Sequence, residues 1–230
     1  MNQQSQEALD LAQHKTFNFA WHWETTRIAG RDLPLAVASD PDGMLIDACE
    51  RQDAGEQGVI DPFWAATWRA ASGLDRYLEQ IPITGTRILE VGCGTGHAGI
   101  AAAVRGADVT LTDGVDDPLG LVETSVRKNE LDCQIQRLRF GQDQIDGDRF
   151  PLILGSDVTY LRTLWPELIQ CLETHLADGG QVLLSDPYRI IANEFRQWIK
   201  DHPWRYEEHQ IDLEDDPEHP IRVMRLTRNP

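Results

Sequence analysis

Arg87-Ile88-Leu89-Glu90-Val91-Gly92-Cys93-Gly94-Thr95-Gly96-His97-Ala98-Gly99 is the stretch that decides how this chain is built. A mostly apolar, strand-like run enters a glycine turn, and alanine-rich helix sequence follows. Val109-Thr110-Leu111-Thr112-Asp113 then has the character of a second strand closed by a carboxylate. Strand, glycine turn, helix and acid-tipped strand together predict the front half of a nucleoside-binding α/β crevice. Glycines let the backbone approach a ligand closely. Asp113, about 20 residues past the first glycine, is placed to accept hydrogen bonds from two ribose hydroxyls.

The glycine spacing separates two ligands. A dinucleotide fingerprint needs glycines at 92, 94 and 97, but position 97 is His, and the run is G-x-G-x-G-x-x-G. That pattern suits S-adenosylmethionine, which has no pyrophosphate to seat on a helix N-terminus. A purely structural glycine turn is the alternative, and the downstream acid argues against it. At a crevice mouth, Asp113 is expected to be solvated in the free protein.

The chain has 230 residues, enough for one α/β domain with a good core and too few for two comfortable ones. A formal charge of −17 argues against a phosphate-tracking surface and so against nucleic acid. An acidic face attracts basic proteins or peptides, although a plain solvated surface explains the charge equally well. Cys49, Cys93, Cys133 and Cys171 are widely spaced with no C-x-x-C, as expected of free thiols in a reducing compartment. No run of about 18 apolar residues occurs and the N-terminus lacks an apolar signal core, so the expectation is a cytoplasmic protein with no membrane association. No His/Cys/Asp set has zinc-ligand spacing, and no metal is expected.

Residues 1–57 form the expected N-terminal appendage: a short polar helix, then Phe17-Asn18-Phe19-Ala20-Trp21-His22-Trp23-Glu24 with strand-like alternation, then a turn-rich stretch around Asp40-Pro41-Asp42-Gly43. Residues 58–230 form the main domain. Asp61 with Pro62 predicts a helix start, running through Phe63, Trp64, Trp68, Leu74 and Leu78. Strands are expected at 87–91, 109–112, 134–140, 151–157 and 181–184, with helices at 97–104, 118–129, 164–176 and 190–200 between them. The 164–176 helix is expected to end at Gly179-Gly180. Residues 205–213 and 221–227 complete the chain as an antiparallel pair across the acidic connection 214–219. The fold class is therefore α/β: a Rossmann-like, doubly wound, seven-stranded, mostly parallel sheet ending in an antiparallel pair. Ligands bind such sheets beyond the carboxyl ends of the strands, here Gly92 to Gly96, Asp113, Phe140-Gly141 and Ser156-Asp157.

These strand ends resemble the seven-stranded S-adenosylmethionine-dependent methyltransferases, and more narrowly the lysine methyltransferase-like group called methyltransferase family 16. The resemblance covers roughly residues 58–185. It rests on Pro62-Phe63-Trp64-Ala65 with Thr67-Trp68 and Leu74-Asp75-Arg76-Tyr77-Leu78, on Leu89 to Gly99, on Thr110 to Asp113, on Phe140-Gly141-Gln142, and on Ile153 to Leu161 with its D-x-x-Y motif. The Pro-Phe-Trp-Ala opening is also similar to the branch that modifies the electron-transfer flavoprotein β subunit. The resemblance implies that Trp68 packs along S-adenosylmethionine, that Gly92, Cys93 and Gly94 contact its amino-acid part, and that Asp113 holds the ribose. It further implies that Phe140, where many relatives have Trp, lies beside adenine with Ser156 lining the same pocket. Asp157 and Tyr160 are implied at the methyl-transfer centre.

Simpler roles stand beside these. Helix packing one turn apart would explain Trp64 and Trp68, Phe140 would serve as a plain core aromatic, and Tyr160 as a buried tyrosine bonding backbone. Trp21-His22-Trp23 fits a hairpin that packs one aromatic inward. Ser185-Asp186-Pro187-Tyr188 is close to a motif of enzymes that methylate base amines, but it follows the wrong strand and has a single Pro in a strongly acidic chain. The implied activity is protein-lysine N-methylation. A methyltransferase for a small-molecule amine and a non-catalytic cofactor-binding module are the alternatives. A protein acceptor calls for an open, acidic rim; a metabolite calls for a lidded pocket, with residues 17–60 as the lid.

Overall fold

The computed structural model describes residues 17–229. The polar helix expected before Phe17 lies outside them. The chain opens with β1 (Trp21–Ile28) and β2 (Arg31–Ala38), an antiparallel hairpin closed by Ala29-Gly30 with both φ angles positive, at 49° and 72°. That mirror-image turn matches the twist of the strands it joins. Trp21 and Trp23 lie half-buried with rings 5.4 Å apart, while His22 faces outward.

The expected turn at Asp40-Pro41 is instead the start of a helix, α1 (Pro41–Asp53). Asp40 accepts the Gly43 N–H at 2.9 Å and Pro41 occupies the first turn, where its missing N–H costs nothing. The same residue types signal turns and helix starts, so local sequence left the two unresolved.

The helix expected from Asp61 through Leu78 is broken. A single 3-10 turn covers Phe63–Ala65, Ala66 and Trp68 are extended, and α2 (Arg69–Leu78) begins only after Trp68. Trp64 and Trp68 are therefore not stacked on one helix. The Trp68 indole N–H donates back to Phe63 O at 2.7 Å and fixes the break.

The main sheet follows: β3 (Arg87–Glu90), α3 (His97–Val104), β4 (Asp108–Asp113), α4 (Asp116–Lys128), β5 (Cys133–Arg137), β6 (Phe150–Ser156), α5 (Trp165–His175), β7 (Leu176–Asp186), α6 (Ile190–Trp198), β8 (Trp204–Leu213) and β9 (Asp216–Arg228). Strand order is β5-β4-β3-β6-β7-β9-β8, parallel except where β9 pairs with β7 and β8. The order reverses between β3 and β6, which opens a crevice at their carboxyl ends.

Three boundaries differ from expectation. β5 stops at Arg137, leaving Phe140 in the turn beyond it. Gly179-Gly180 does not cap a helix: Gly179 has φ 72° within β7, and a Cβ on Gly180 would meet Pro151 O at 2.9 Å, so the glycines carry an irregular pairing against β6. The β8–β9 connection narrows to residues 214–215.

Strand alternation sorts the core into two layers. Ile88, Leu152, Leu154 and Leu183 face the side covered by Leu74 and Leu78 of α2, Ile100 of α3 and Val122 of α4. Leu89, Ile153, Val182 and Leu184 face Trp165 and Leu168 of α5 and Phe195 of α6. Ile28, Leu35 and Val37 of the hairpin join the first layer, and Ala36 N–H donates to Ser125 Oγ of α4 at 2.8 Å. The hairpin is thereby held on the outer surface of α4. Among the described residues no helix is long and apolar enough to cross a membrane.

Candidate functional site

A cleft of about 680 Å³ lies beyond the carboxyl ends of β3, β4, β5 and β6. Trp68, Gly92, Cys93, Gly94, Asp113, Phe140, Ser156, Asp157 and Tyr160 all line it, so the structure brings together every residue to which the resemblance gives a site role, while Gly96 and Gly141 shape the neighbouring turns without lining it. Of residues 17–60, only Val59 and Ile60 do so, and the hairpin forms no part of its wall.

The glycine turn forms the floor. Gly92, Gly94 and Gly96 have φ of 61°, 51° and 78°, conformations that side-chain-bearing residues rarely adopt. At Gly92 space is also short, because a Cβ would stand 2.9 Å from Val158. Backbone is therefore exposed where a ligand would rest. The Cys93 thiol is pushed well above its ordinary range by burial and by the nearby charges of Asp113 and Glu90, so it stays a neutral wall atom.

Glu90 was not singled out by the sequence reading. Its Oε2 accepts the Gly99 N–H at 2.9 Å and so clamps the end of β3 to the first turn of α3 across the glycine turn, while Oε1 is buried without a partner. Burial raises its carboxyl to about 8, with the Gly99 N–H opposing and the Asp113 charge adding to the rise. The available signal was a carboxylate inside an otherwise apolar strand.

Asp113 is not solvated as expected. It is 8% exposed, and its two oxygens accept N–H groups from Gly94 at 3.0 Å and Val115 at 3.1 Å. Burial holds its carboxyl above the usual range, against the hydrogen bonds from Gly94, Val115 and Gly114. Each carboxylate oxygen has a further acceptor direction, so these bonds orient Asp113 without exhausting it.

Phe140 stands where either of its candidate roles is open to it. It is half-buried against the layer containing Leu138 and Val158, and it also lines the cleft. The turn beyond it requires Gly141, whose φ is 69° and whose Cβ would lie 2.9 Å from Glu167.

At the opposite end, Asp157 has φ 54° and its N–H donates to Ser185 O at 2.7 Å, locking it between β6 and β7. Its carboxylate is 7% exposed and receives Arg189 Nε at 2.8 Å and a second guanidinium nitrogen at 2.7 Å. Arg189 also lies over Trp68, 5.1 Å from the ring centroid. Phe63, which accepts the Trp68 indole N–H, packs its ring edge-on to Tyr160 at 5.4 Å. Asp157, Trp68, Phe63 and Tyr160 thus line one end of the cleft, and Arg189 contacts the first two of them. Burial, then the negative charges of Asp113, Asp157 and Asp61, raise the Tyr160 phenol, so it remains a neutral hydroxyl. Sequence reasoning missed Arg189; it directly follows the Ser185–Tyr188 segment set aside as a nucleic-acid motif.

The rim is apolar rather than acidic. Ile60, Trp68, Tyr160, Leu161 and Leu164 are exposed and line the cleft, and the lining charges are mixed: Asp61, Asp113 and Asp157 against Arg137 and Arg139. Among the described residues no group of three His, Cys, Asp or Glu could hold a metal ion.

Comparison with known proteins agrees with this architecture. Residues 51–200 match the family described as lysine methyltransferase. The chain is 32% identical to the protein N-lysine methyltransferase METTL21A of Danio rerio over 174 residues, 72% of this chain and 78% of the relative. It is 33% identical to the electron transfer flavoprotein beta subunit lysine methyltransferase of Danio rerio over 141 residues, 56% of this chain and about half (51%) of that protein. Among solved structures, the ribosomal protein L11 methylase of Lactobacillus delbrueckii subsp. bulgaricus superposes with a TM-score of 0.59 at 21% identity, covering 72% of this chain and 81% of the other. The tRNA (uracil-54, C5)-methyltransferase of Pyrococcus abyssi, in complex with S-adenosyl-L-homocysteine, superposes at 0.53 and 21% identity, covering 72% of this chain and 40% of that one.

Proposed function

Because this chain belongs to the lysine methyltransferase family, we propose that its cleft binds S-adenosylmethionine and directs methyl transfer to a lysine side chain of a protein. The observation that carries the protein acceptor, rather than a metabolite, is the openness of the rim, which is apolar where an acidic one was expected. Five of the seven exposed large apolar or aromatic side chains among the described residues line this cleft, and of residues 17–60, the expected lid, only Val59 and Ile60 border it. An open apolar rim suits a macromolecular surface.

The residues fit the donor. Gly92, Cys93 and Gly94 would take its amino-acid part where the missing side chains leave backbone exposed, Asp113 would accept the ribose hydroxyls, Phe140 and Ser156 would border adenine, and Trp68 would lie along it. When bound, S-adenosylmethionine supplies a methyl group on a positively charged sulfur. The protein's part is positioning and electrostatics. A lysine amine, with a reference pKa of 10.4, costs about 4.6 kcal/mol to neutralise at pH 7. Desolvation among Trp68, Phe63 and Tyr160 lowers that cost. Asp157 orients the acceptor nitrogen and Tyr160 stands as a positioning wall.

This reading places residues 58–230 as the catalytic domain and residues 1–57 as its appendage. Four free cysteines, two of them buried, support a reducing compartment such as the cytoplasm. The test is calorimetry with S-adenosylmethionine, S-adenosylhomocysteine and NAD, followed by turnover with methyl-labelled donor on the protein and small-molecule fractions of a lysate. Binding of the first two ligands and labelling of the protein fraction are expected. Tight NAD binding without response to S-adenosylmethionine would end the proposal, and labelling confined to small molecules would move it to a metabolite acceptor.

A further inference from the structure

Arg189 pairs with Asp157 and lies over Trp68 at the proposed acceptor end, and the fold holds it there from two sides. It stands at the N-terminal end of α6, after Tyr188 in the left-handed conformation at φ 57°. Immediately upstream, Asp186 pairs with Arg222 through contacts of 2.9 and 2.8 Å, both side chains fully buried. Arg222 also donates to Asn193 of α6 at 2.7 Å and lies 4.9 Å from the Tyr188 ring centroid. The loop between β7 and α6 is therefore anchored at both ends. From it the Arg189 guanidinium reaches Asp157 with two nitrogens and covers Trp68, two residues that line the cleft.

Resting on the reading of this cleft as an amine methyl-transfer site, we propose that Arg189 is a positioning residue that fixes the Asp157 carboxylate and balances its charge, so that the acceptor amine is held there in its neutral form. In the reaction the amine nitrogen gives its lone pair to the methyl carbon. The electrons of the breaking carbon–sulfur bond stay with sulfur, and the methylated ammonium then releases one proton to solvent. Only an unprotonated amine has the lone pair. A lone carboxylate within about 4–6 Å raises an amine's pKa, and each unit lowers the neutral fraction tenfold. With its bidentate partner in place, Asp157 still offers an acceptor direction to an amine N–H, but the pair carries no net charge. The other groups facing this end are Asp61, Asp113, Asp186 and the neutral Tyr160, with Arg222 offsetting Asp186. Removing Arg189 would leave the local charge negative. Arginine suits the role because its planar fork grips both carboxylate oxygens while its face lies on an indole; lysine would keep the charge but not that geometry.

The test is the pH dependence of kcat, measured with the principal labelled protein of a lysate, purified and supplied at saturating concentration. In Arg189→Gln the acid limb should move up by about one unit or more, so that the rate at pH 7 falls about tenfold and recovers in alkaline buffer, while KM for the protein acceptor falls or holds. The affinity for S-adenosylmethionine should stay within about twofold, which also reports that the variant is folded. Arg189→Lys should keep the wild-type limb with a lower plateau, and it carries the test if the Gln variant does not fold. In Asp157→Asn/Arg189→Gln the limb should return to the wild-type pH at a reduced rate. A rate loss in Arg189→Gln that is the same at every pH, or a limb displaced in Arg189→Lys, overturns the inference while leaving the methyl-transfer reading intact. A wild-type protein that transfers no methyl at any pH overturns the reading itself, and the inference with it.

Discussion

The backbone N–H of Gly94 donates to the Asp113 carboxylate across 3.0 Å, so the glycine turn and the tip of β4 are joined directly at the floor of the cleft. A residue expected to serve a ligand also holds up the loop that the ligand would rest on. Asp113→Ala should therefore show two effects. Affinity for S-adenosylmethionine should fall by about 1.5–3 kcal/mol, the scale of hydrogen bonds to a charged group, and the free protein should melt lower because the Gly94 and Val115 N–H groups lose their partner. Calorimetry and thermal melting on the same preparation measure both. An unchanged dissociation constant with a lowered melting temperature would leave Asp113 a purely structural role.

Phe140 gives a second test, because it is partly in the core and partly in the cleft. Phe140→Ala should weaken binding of S-adenosylmethionine about ten- to a hundredfold, the scale of aromatic–base stacking. Its cost in stability should fall short of the roughly 3–5 kcal/mol typical of a fully buried phenylalanine. Phe140→Trp should preserve or improve affinity. A large stability loss with normal affinity would assign the ring to the core alone.

Asp157→Asn keeps the side chain's size and removes its charge. The rate constant with saturating S-adenosylmethionine should fall about ten- to a thousandfold with little change in donor affinity. Tyr160→Phe should have a smaller effect if the ring acts as a wall. Near-normal turnover in both variants would remove the acceptor site from the end of β6.

Glu90 sets a pH dependence of stability. Its carboxyl is raised from 4.5 to about 8, so folding takes up a proton; the contribution is complete below 4.5 and is lost as pH rises through 8. Glu90→Gln can still accept the Gly99 N–H but cannot ionise. Relative to wild type, its melting temperature should rise progressively between about pH 5 and 8.5. Parallel curves across that range would show that Glu90 does not titrate in this window.

The sheet was legible because its strands are short apolar runs at regular spacing, each ending at a residue with a chemical reason to be there. Gly92, Asp113 and Asp157 could be placed at strand ends without coordinates, and the cleft contains all three. Local ambiguity explains the errors. Asp40-Pro41 is a valid turn and a valid helix start, and only the following helical run with Asp40 as its cap decides between them. Pro62 opens a helical turn that ends at Ala65, and the extended residues after it let the Trp68 indole bond Phe63 O while its ring lines the cleft. Arg189 was invisible for another reason. Its partner Asp157 is 32 residues away in sequence, and only the parallel pairing of β6 with β7 sets their two loops side by side.

The central claim is methyl transfer to lysine in a protein, and the most direct measurement is amino-acid analysis of the labelled product. Purified protein, methyl-labelled S-adenosylmethionine and lysate protein freed of small molecules are incubated, and the labelled protein is hydrolysed completely. The account predicts label recovered as methylated lysine, accumulating about ten- to a thousandfold more slowly when Asp157→Asn replaces the wild-type protein, and more slowly at subsaturating donor when Asp113→Ala does. Label recovered on another side chain, on nucleic acid, or only when the small-molecule fraction is restored would contradict it.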